Sequence, residues 1–146
     1  MHPHSPTFFG DHMTIANTCV LAAAVLPVLT MGLAKFTSIK KPSAGGYDNN
    51  DPRGWAAKQN GWKARAAAAH SNGFEALPLF VFAVLAAQHA GLEQGRIDQL
   101  AMAFIGIRLV YIAMYLANIG ALRTLVWTAG LGVTIAIFAP TLTLPV

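Results

Sequence analysis

The stretch RAAAAHSNGFEALPLFVF, residues 65–82, sets an arginine, a histidine, an asparagine, a glutamate and a proline into an otherwise apolar segment that runs on to Ala90. At about 100° per residue, Arg65, Asn72 and Glu75 fall within an arc of about 80°, while His70 points to the side opposite Asn72. Three polar side chains therefore share one stripe of a helix. A charged glutamate turned to lipid costs on the order of 3 kcal/mol, so Glu75 is expected to face protein or water, where such residues mark functional sites. The competing reading is structural: a carboxylate that pairs with an arginine and fixes helix packing.

Composition sets the class around this stretch. Of 146 residues, 55% are hydrophobic and only 11% charged, against roughly 25% charged in an average soluble domain. Together with a positive mean hydropathy, this predicts a single all-α domain over residues 1–146, a four-helix bundle integral to a membrane. The formal charge of +4 does not point to nucleic acid, because the basic residues are few and collect beside hydrophobic segments, as topology signals do. The single cysteine, Cys19, lies in the first apolar run and excludes an intrachain disulfide.

In chain order, His2, His4 and His12 fall in a proline-containing stretch that reads as an N-terminal tail in preference to a weak surface metal site. No basic region precedes the first apolar run, which therefore does not resemble a cleaved signal peptide; Met1 and Met13 are alternative starts. Spans are expected over about residues 13–36, 63–89, 97–118 and 122–139, each near the ~20 residues a bilayer requires. Pro27 should bend the first and Pro78 the second. Residues 37–62, with KKPSAGGYDNNDPRGW, form a polar loop whose Tyr47, Trp55 and Trp62 suit the membrane interface. Gly120 is expected at a tight turn before the last helix. In that helix Thr128, Gly132 and Ala136 make a small-residue stripe that predicts close helix contact, within a subunit or between subunits.

Loop one and its edges carry Lys35, Lys40, Lys41, Arg53, Lys58, Lys63 and Arg65, and loop three carries Arg123; the other side offers Arg96. The positive-inside rule then places loops one and three in the cytoplasm and both termini outside.

The third span answers the second. Arg108, Tyr111 and Tyr115 lie within an arc of about 60°, and Glu75 and Arg108 each sit about 15 Å from the loop-one face at 1.5 Å per residue. Asn72 and Tyr111 make the next layer outward, followed by Tyr115, Arg65 and Arg123. The expected result is a polar cleft, open to the loop-one side and closed by a Glu75–Arg108 ion pair. A purely structural bridge would account for the deepest layer but not for the layers stacked above it.

Arg65, Asn72, Glu75, Pro78 and Phe80, spaced R-(x)6-N-x-x-E-x-x-P-x-F, together with Arg108, Tyr111 and Tyr115, spaced R-x-x-Y-x-x-x-Y, resemble the MAPEG superfamily of membrane-associated proteins in eicosanoid and glutathione metabolism. The resemblance covers about residues 13–140, and the YDNNDPRGW of loop one looks like that of bacterial members, which implies a bacterial inner membrane. It further implies a homotrimer that binds glutathione as co-substrate between neighbouring subunits and activates its thiol for conjugation, peroxide reduction or isomerisation of a lipophilic small molecule. Carried over by position, Asn72, Glu75, Arg108, Tyr111 and Tyr115 match residues that hold glutathione or shape its pocket, Arg65 and His70 match residues near it, and Arg123 resembles the arginine that stabilises the thiolate; Arg123 and Tyr115 are the expected catalytic residues. One departure is Ala68, where glutathione-binding relatives often carry an arginine; its loss removes one carboxylate partner.

The chemistry agrees with that assignment on its own terms. A peptide with two carboxylates needs cations and amide donors, such as Arg65, Arg108, Arg123 and Asn72 carry. Lowering a thiol pKa from about 8.5 to about 6.5 takes about 2.7 kcal/mol of thiolate stabilisation, within reach of one guanidinium in a poorly solvated cleft. No metal-ligand pair at helical spacing, no G-x-S-x-G and no phosphate loop competes. The alternative is a non-catalytic small membrane protein, or a transporter with Glu75 as proton carrier.

Overall fold

A computed structural model describes residues 13–143; the stretch bearing His2, His4 and His12 lies outside them. Five α-helices occur among the described residues: α1 (Ile15–Phe36), α2 (Pro52–Ala57), α3 (Gly61–His89), α4 (Gln94–Leu116) and α5 (Gly120–Phe138). No strand occurs among them. α1, α3, α4 and α5, the last with the 3-10 turn Ala139–Thr143, are each long and apolar enough to cross a bilayer. The chain is thus a multi-pass all-α membrane bundle.

Helix ends follow local chemistry. Thr14 caps α1 by accepting from Asn17 N, Asp51 caps α2 through Gly54 N, and Glu93 caps α4 through Arg96 N, each satisfying a donor with no partner inside its helix. The turn between α4 and α5 is made not by Gly120, which already belongs to α5, but by Asn118 at φ 64°. Asparagine is one of the few residues other than glycine that take this left-handed conformation readily.

The helices touch through small residues. Ala16, Ala23 and Ala34 of α1, and Ala66, Ala69, Ala83 and Ala87 of α3, are all buried. On α3, Ala66, Gly73, Phe80 and Ala87 recur every seven residues, the repeat that keeps one seam facing its partners. Closest of all is Gly73, where a Cβ would collide with the Pro27 ring. In lipid, such close approach of backbones replaces the water-driven burial that holds soluble bundles together. α3 also packs on α4 and α5, and α4 on α1 and α5, whereas α1 and α5 do not meet.

The core is thickest in the half away from loop one. There Phe80 and Phe104 stack at 3.9 Å between ring centroids, surrounded by Val84, Ala87, Ile97 and Ala101. Its outer end is closed by hydrogen bonds: Asp98 Oδ1 accepts from Ala16 N at 2.8 Å and from Gln94 Nε2 at 2.7 Å, and Gln88 Nε2 donates to Thr14 Oγ1 at 3.0 Å.

Loop one is folded onto its end of the bundle. Trp55 is buried with Met31, Ala34 and Ala66, and Tyr47 meets it edge-on at 5.1 Å. The sequence suggested an interfacial ring for Trp55, but α2 carries it into a small second core. Of the Thr128, Gly132 and Ala136 stripe, expected to make close contact within a subunit or between subunits, Thr128 and Gly132 are exposed and Ala136 is half-buried. α5 turns Gly130, Thr134 and Ile137 inward in its place.

Candidate functional site

Arg108 is the one charged side chain that is buried among the described residues. It is 6% exposed, on the face of α4 that meets α3, because the 3.6-residue period puts it in line with Ala101, Phe104 and Tyr111, which are also buried. Its Nη1 donates to Asn72 Oδ1 at 3.1 Å, and Asn72 Nδ2 donates in turn to Glu75 Oε2 at a long 3.5 Å. Arg108 and Glu75 share no direct bond. The expected ion pair is replaced by a relay: Asn72, one turn before Glu75, is half-buried and takes the guanidinium, while Glu75 is exposed.

From Arg108 a ladder of cations and rings leads to the loop-one end. The guanidinium lies 4.4 Å from the Tyr111 ring centre, Tyr111 meets Tyr115 edge-on at 5.5 Å, and Arg123 of α5 lies 4.3 Å over the Tyr115 ring. Ring faces attract guanidinium groups without consuming their N–H donors. Both arginines are thereby oriented and still able to bind an anion.

A groove between α3, α4 and α5, with a cavity of about 160 Å³, opens beside this relay. Asn72, Glu75 and Arg108 form its polar wall, and Leu79, Phe104, Trp127 and Leu131 its apolar one. Trp127 and Thr134, which also lines it, were missed in the sequence. The signal was present in the spacing: Trp127, Gly130 and Thr134 follow one another at three and four residues along one side of α5, Gly130 and Thr134 buried and Trp127 at the exposed rim.

Two predicted site residues are engaged elsewhere. Arg65 Nε donates to the Leu116 carbonyl at 3.0 Å, closing the C-terminus of α4, where an unmatched carbonyl and the negative end of the helix dipole favour a cation. His70 faces α1: its Nδ1 lies 2.8 Å from the Pro27 carbonyl, and its ring meets Phe74 edge-on at 5.0 Å. A carbonyl can only accept, so Nδ1 carries the proton. Ala68, the position of the missing arginine, is half-buried. Among the described residues no group of three or more histidine, cysteine or acidic side chains could hold a metal ion.

Comparison with protein families gives one finding, a match of the MAPEG family over residues 15–143. The chain belongs to the MAPEG family. No curated protein and no solved structure matches it. The matched span takes in all four long helices and loop one, so the relay, the ladder and the groove all lie inside the MAPEG unit. Of the residues with which the sequence resembled that family, Asn72, Glu75, Arg108, Tyr111, Tyr115 and Arg123 form one continuous chain of contacts.

Proposed function

We propose that this MAPEG protein is a glutathione-dependent transferase or peroxidase acting on a lipophilic electrophile. The carrying observation is Arg108, a buried guanidinium with a single protein acceptor among the described residues, set against a groove with one polar and one apolar wall. Its free donors suit a carboxylate of the peptide. Arg123, stacked on Tyr115, is the cation available to a thiolate nearer the loop-one end. In the transferase reaction the thiolate sulfur forms a bond to an electrophilic carbon, the bond to the leaving group breaks with its electron pair, and that group takes up a proton. In the peroxidase reaction the sulfur attacks a peroxide oxygen and becomes a sulfenic acid as the O–O bond breaks, the departing alkoxide takes up a proton, and a second glutathione thiol displaces the hydroxyl as water to give the disulfide.

The cavity supports the homotrimer reading as well. At about 160 Å³ it falls short of the roughly 300 Å³ at which pockets for drug-sized ligands begin, so a tripeptide with a second substrate needs further walls. Neighbouring subunits would supply them, with the exposed Thr128 and Gly132 offering a close-contact surface. We place the protein in a bacterial inner membrane, with loops one and three cytoplasmic and both termini external.

Calorimetry of glutathione binding to the detergent-solubilised protein tests the proposal. Saturable binding that is lost in Arg108→Met is expected; a flat titration refutes it. One observation keeps a second reading in view: Glu75 is exposed and free of a direct Arg108 contact, as a proton carrier would be. Proton flux in proteoliposomes that disappears in Glu75→Gln, without glutathione binding, would favour a transporter.

A further inference from the structure

At the end of the bundle away from loop one, between the start of α4 and the end of α5, lies a second groove with a cavity of about 200 Å³. Leu92, Glu93, Arg96 and Pro140 line its outer part, and Leu100 and Ala136, one helical turn further in, line its inner part. α4 starts at this end and α5 returns to it, so both charged residues stand at the mouth and the floor beyond them is apolar. Polarity thus falls along the groove in the order in which it falls along a membrane lipid, from headgroup to acyl chain.

At the mouth the carboxylate is fixed and the guanidinium is uncommitted. Glu93 Oε2 accepts from Arg96 N at 3.2 Å, which caps α4 and uses one of the several acceptor sites of a carboxylate. Gly95 makes room for this, since a Cβ there would lie 2.6 Å from Glu93 Oε1. Arg65, Arg108 and Arg123 each meet a carbonyl, an amide or a ring. No hydrogen bond, ion pair or ring contact engages the Arg96 guanidinium among the described residues. The groove therefore offers a placed anion, an available cation and an apolar floor.

We propose that this groove binds one phosphatidylethanolamine, with its phosphate on Arg96, its ammonium on Glu93 and the start of an acyl chain along Leu100 and Ala136. A guanidinium takes two phosphate oxygens at once, and a primary ammonium brings three donors to a carboxylate. Phosphatidylglycerol satisfies Arg96 but brings no cation to Glu93, and the quaternary ammonium of phosphatidylcholine has no N–H to donate. The bound lipid joins α4 to α5 at the membrane surface. The inference does not depend on which ligand the groove beside Arg108 takes, because the two grooves share no lining residue.

The test is native mass spectrometry of the full chain released from nanodiscs that hold equal amounts of phosphatidylethanolamine, phosphatidylglycerol and phosphatidylcholine with the same acyl chains. The native chain should retain one phosphatidylethanolamine per subunit, about tenfold in preference to either other lipid. Arg96→Gln should lower retention of phosphatidylethanolamine and phosphatidylglycerol alike. Glu93→Gln should abolish the preference between those two, and Ala136→Phe, which fills the inner part, should release all three. Equal retention of the three lipids by the native chain overturns the proposal, whether or not any variant assembles. A preference that survives both Arg96→Gln and Glu93→Gln overturns it too. So does a disulfide joining two copies of the Ala136→Cys chain, which would mean that a second copy covers the groove.

Discussion

The two halves of the bundle use polar side chains in opposite ways. At the end away from loop one, Asp98, Gln94, Gln88 and Thr14 spend their hydrogen bonds on one another and on the first turn of α1. Toward loop one, Arg108 and Arg123 lie against tyrosine rings and keep donors in reserve. Both clusters are polar groups within apolar helices, so polarity alone does not distinguish structure from function. The difference is whether the donors and acceptors are matched. A matched cluster is a fastening, whereas an unmatched one beside a groove is a place for a ligand.

If that contrast is sound, damage to the far half should show first as lost stability, and at its outer end, clear of the Phe104 shared with the groove, it should leave ligand chemistry alone. The largest effect is expected from Phe80→Ala, which removes a fully buried ring stacked on Phe104 and should destabilise by about 3–5 kcal/mol. Thermal unfolding in detergent measures this; a loss under about 1 kcal/mol would show that the far half is not the anchoring core.

The relay comes next. Because Asn72 stands between Arg108 and Glu75, Asn72→Ala should cost about 1–3 kcal/mol by leaving a buried guanidinium donor unmatched. The Glu75→Gln and Arg108→Met changes should be non-additive in the native background and additive once Asn72 is alanine. Coupling that survives Asn72→Ala would mean direct contact between the two charges.

Asp98→Ala sharpens the comparison from the other side. It removes the acceptor for Ala16 N and Gln94 and should cost about 0.5–2 kcal/mol, as loss of a helix cap does. Glutathione affinity in calorimetry should be unchanged; a tenfold loss would break the division between the halves.

The smallest stability effect belongs to Arg123→Ala, about 0.5–1 kcal/mol for one partly exposed contact with the Tyr115 ring. Its chemical effect should be clear all the same. The ultraviolet absorbance of bound thiolate should titrate at higher pH than in the native protein, with only partial recovery in Arg123→Lys, which lacks the guanidinium fork. Superimposable titrations would remove Arg123 from thiol activation.

The long helices were legible because length and hydropathy act over some twenty residues, where one misplaced residue changes little. The faces were legible for the same reason: helical arithmetic put Asn72 and Glu75 on one stripe and turned His70 away from it. Partners were less so. The periodicity placed Glu75 and Arg108 at one depth, yet the arginine bonds Asn72 one turn away, because α3 turns Asn72 partly inward and leaves Glu75 exposed. Backbone acceptors were hidden altogether. Nothing in the residue pattern announces that Arg65 will meet the Leu116 carbonyl or His70 that of Pro27, since any residue carries a carbonyl and only its place in a helix end or a proline bend leaves it available.

Near the start of α3, Lys63 reaches back to Ser38 Oγ at 2.6 Å, while Arg65 reaches forward to the end of α4. These two contacts span very different lengths of chain, 25 residues behind and 51 ahead. During synthesis the first partner of α3 has already emerged when Lys63 appears, whereas the second has yet to be made. Lys63 can therefore fasten the first hairpin as soon as it enters the bilayer, and Arg65 must wait, a charge at the membrane edge, until Leu116 arrives. The two contacts thus differ in when their partners exist: that of Lys63 precedes α3 in the chain, and that of Arg65 follows it by a whole helix.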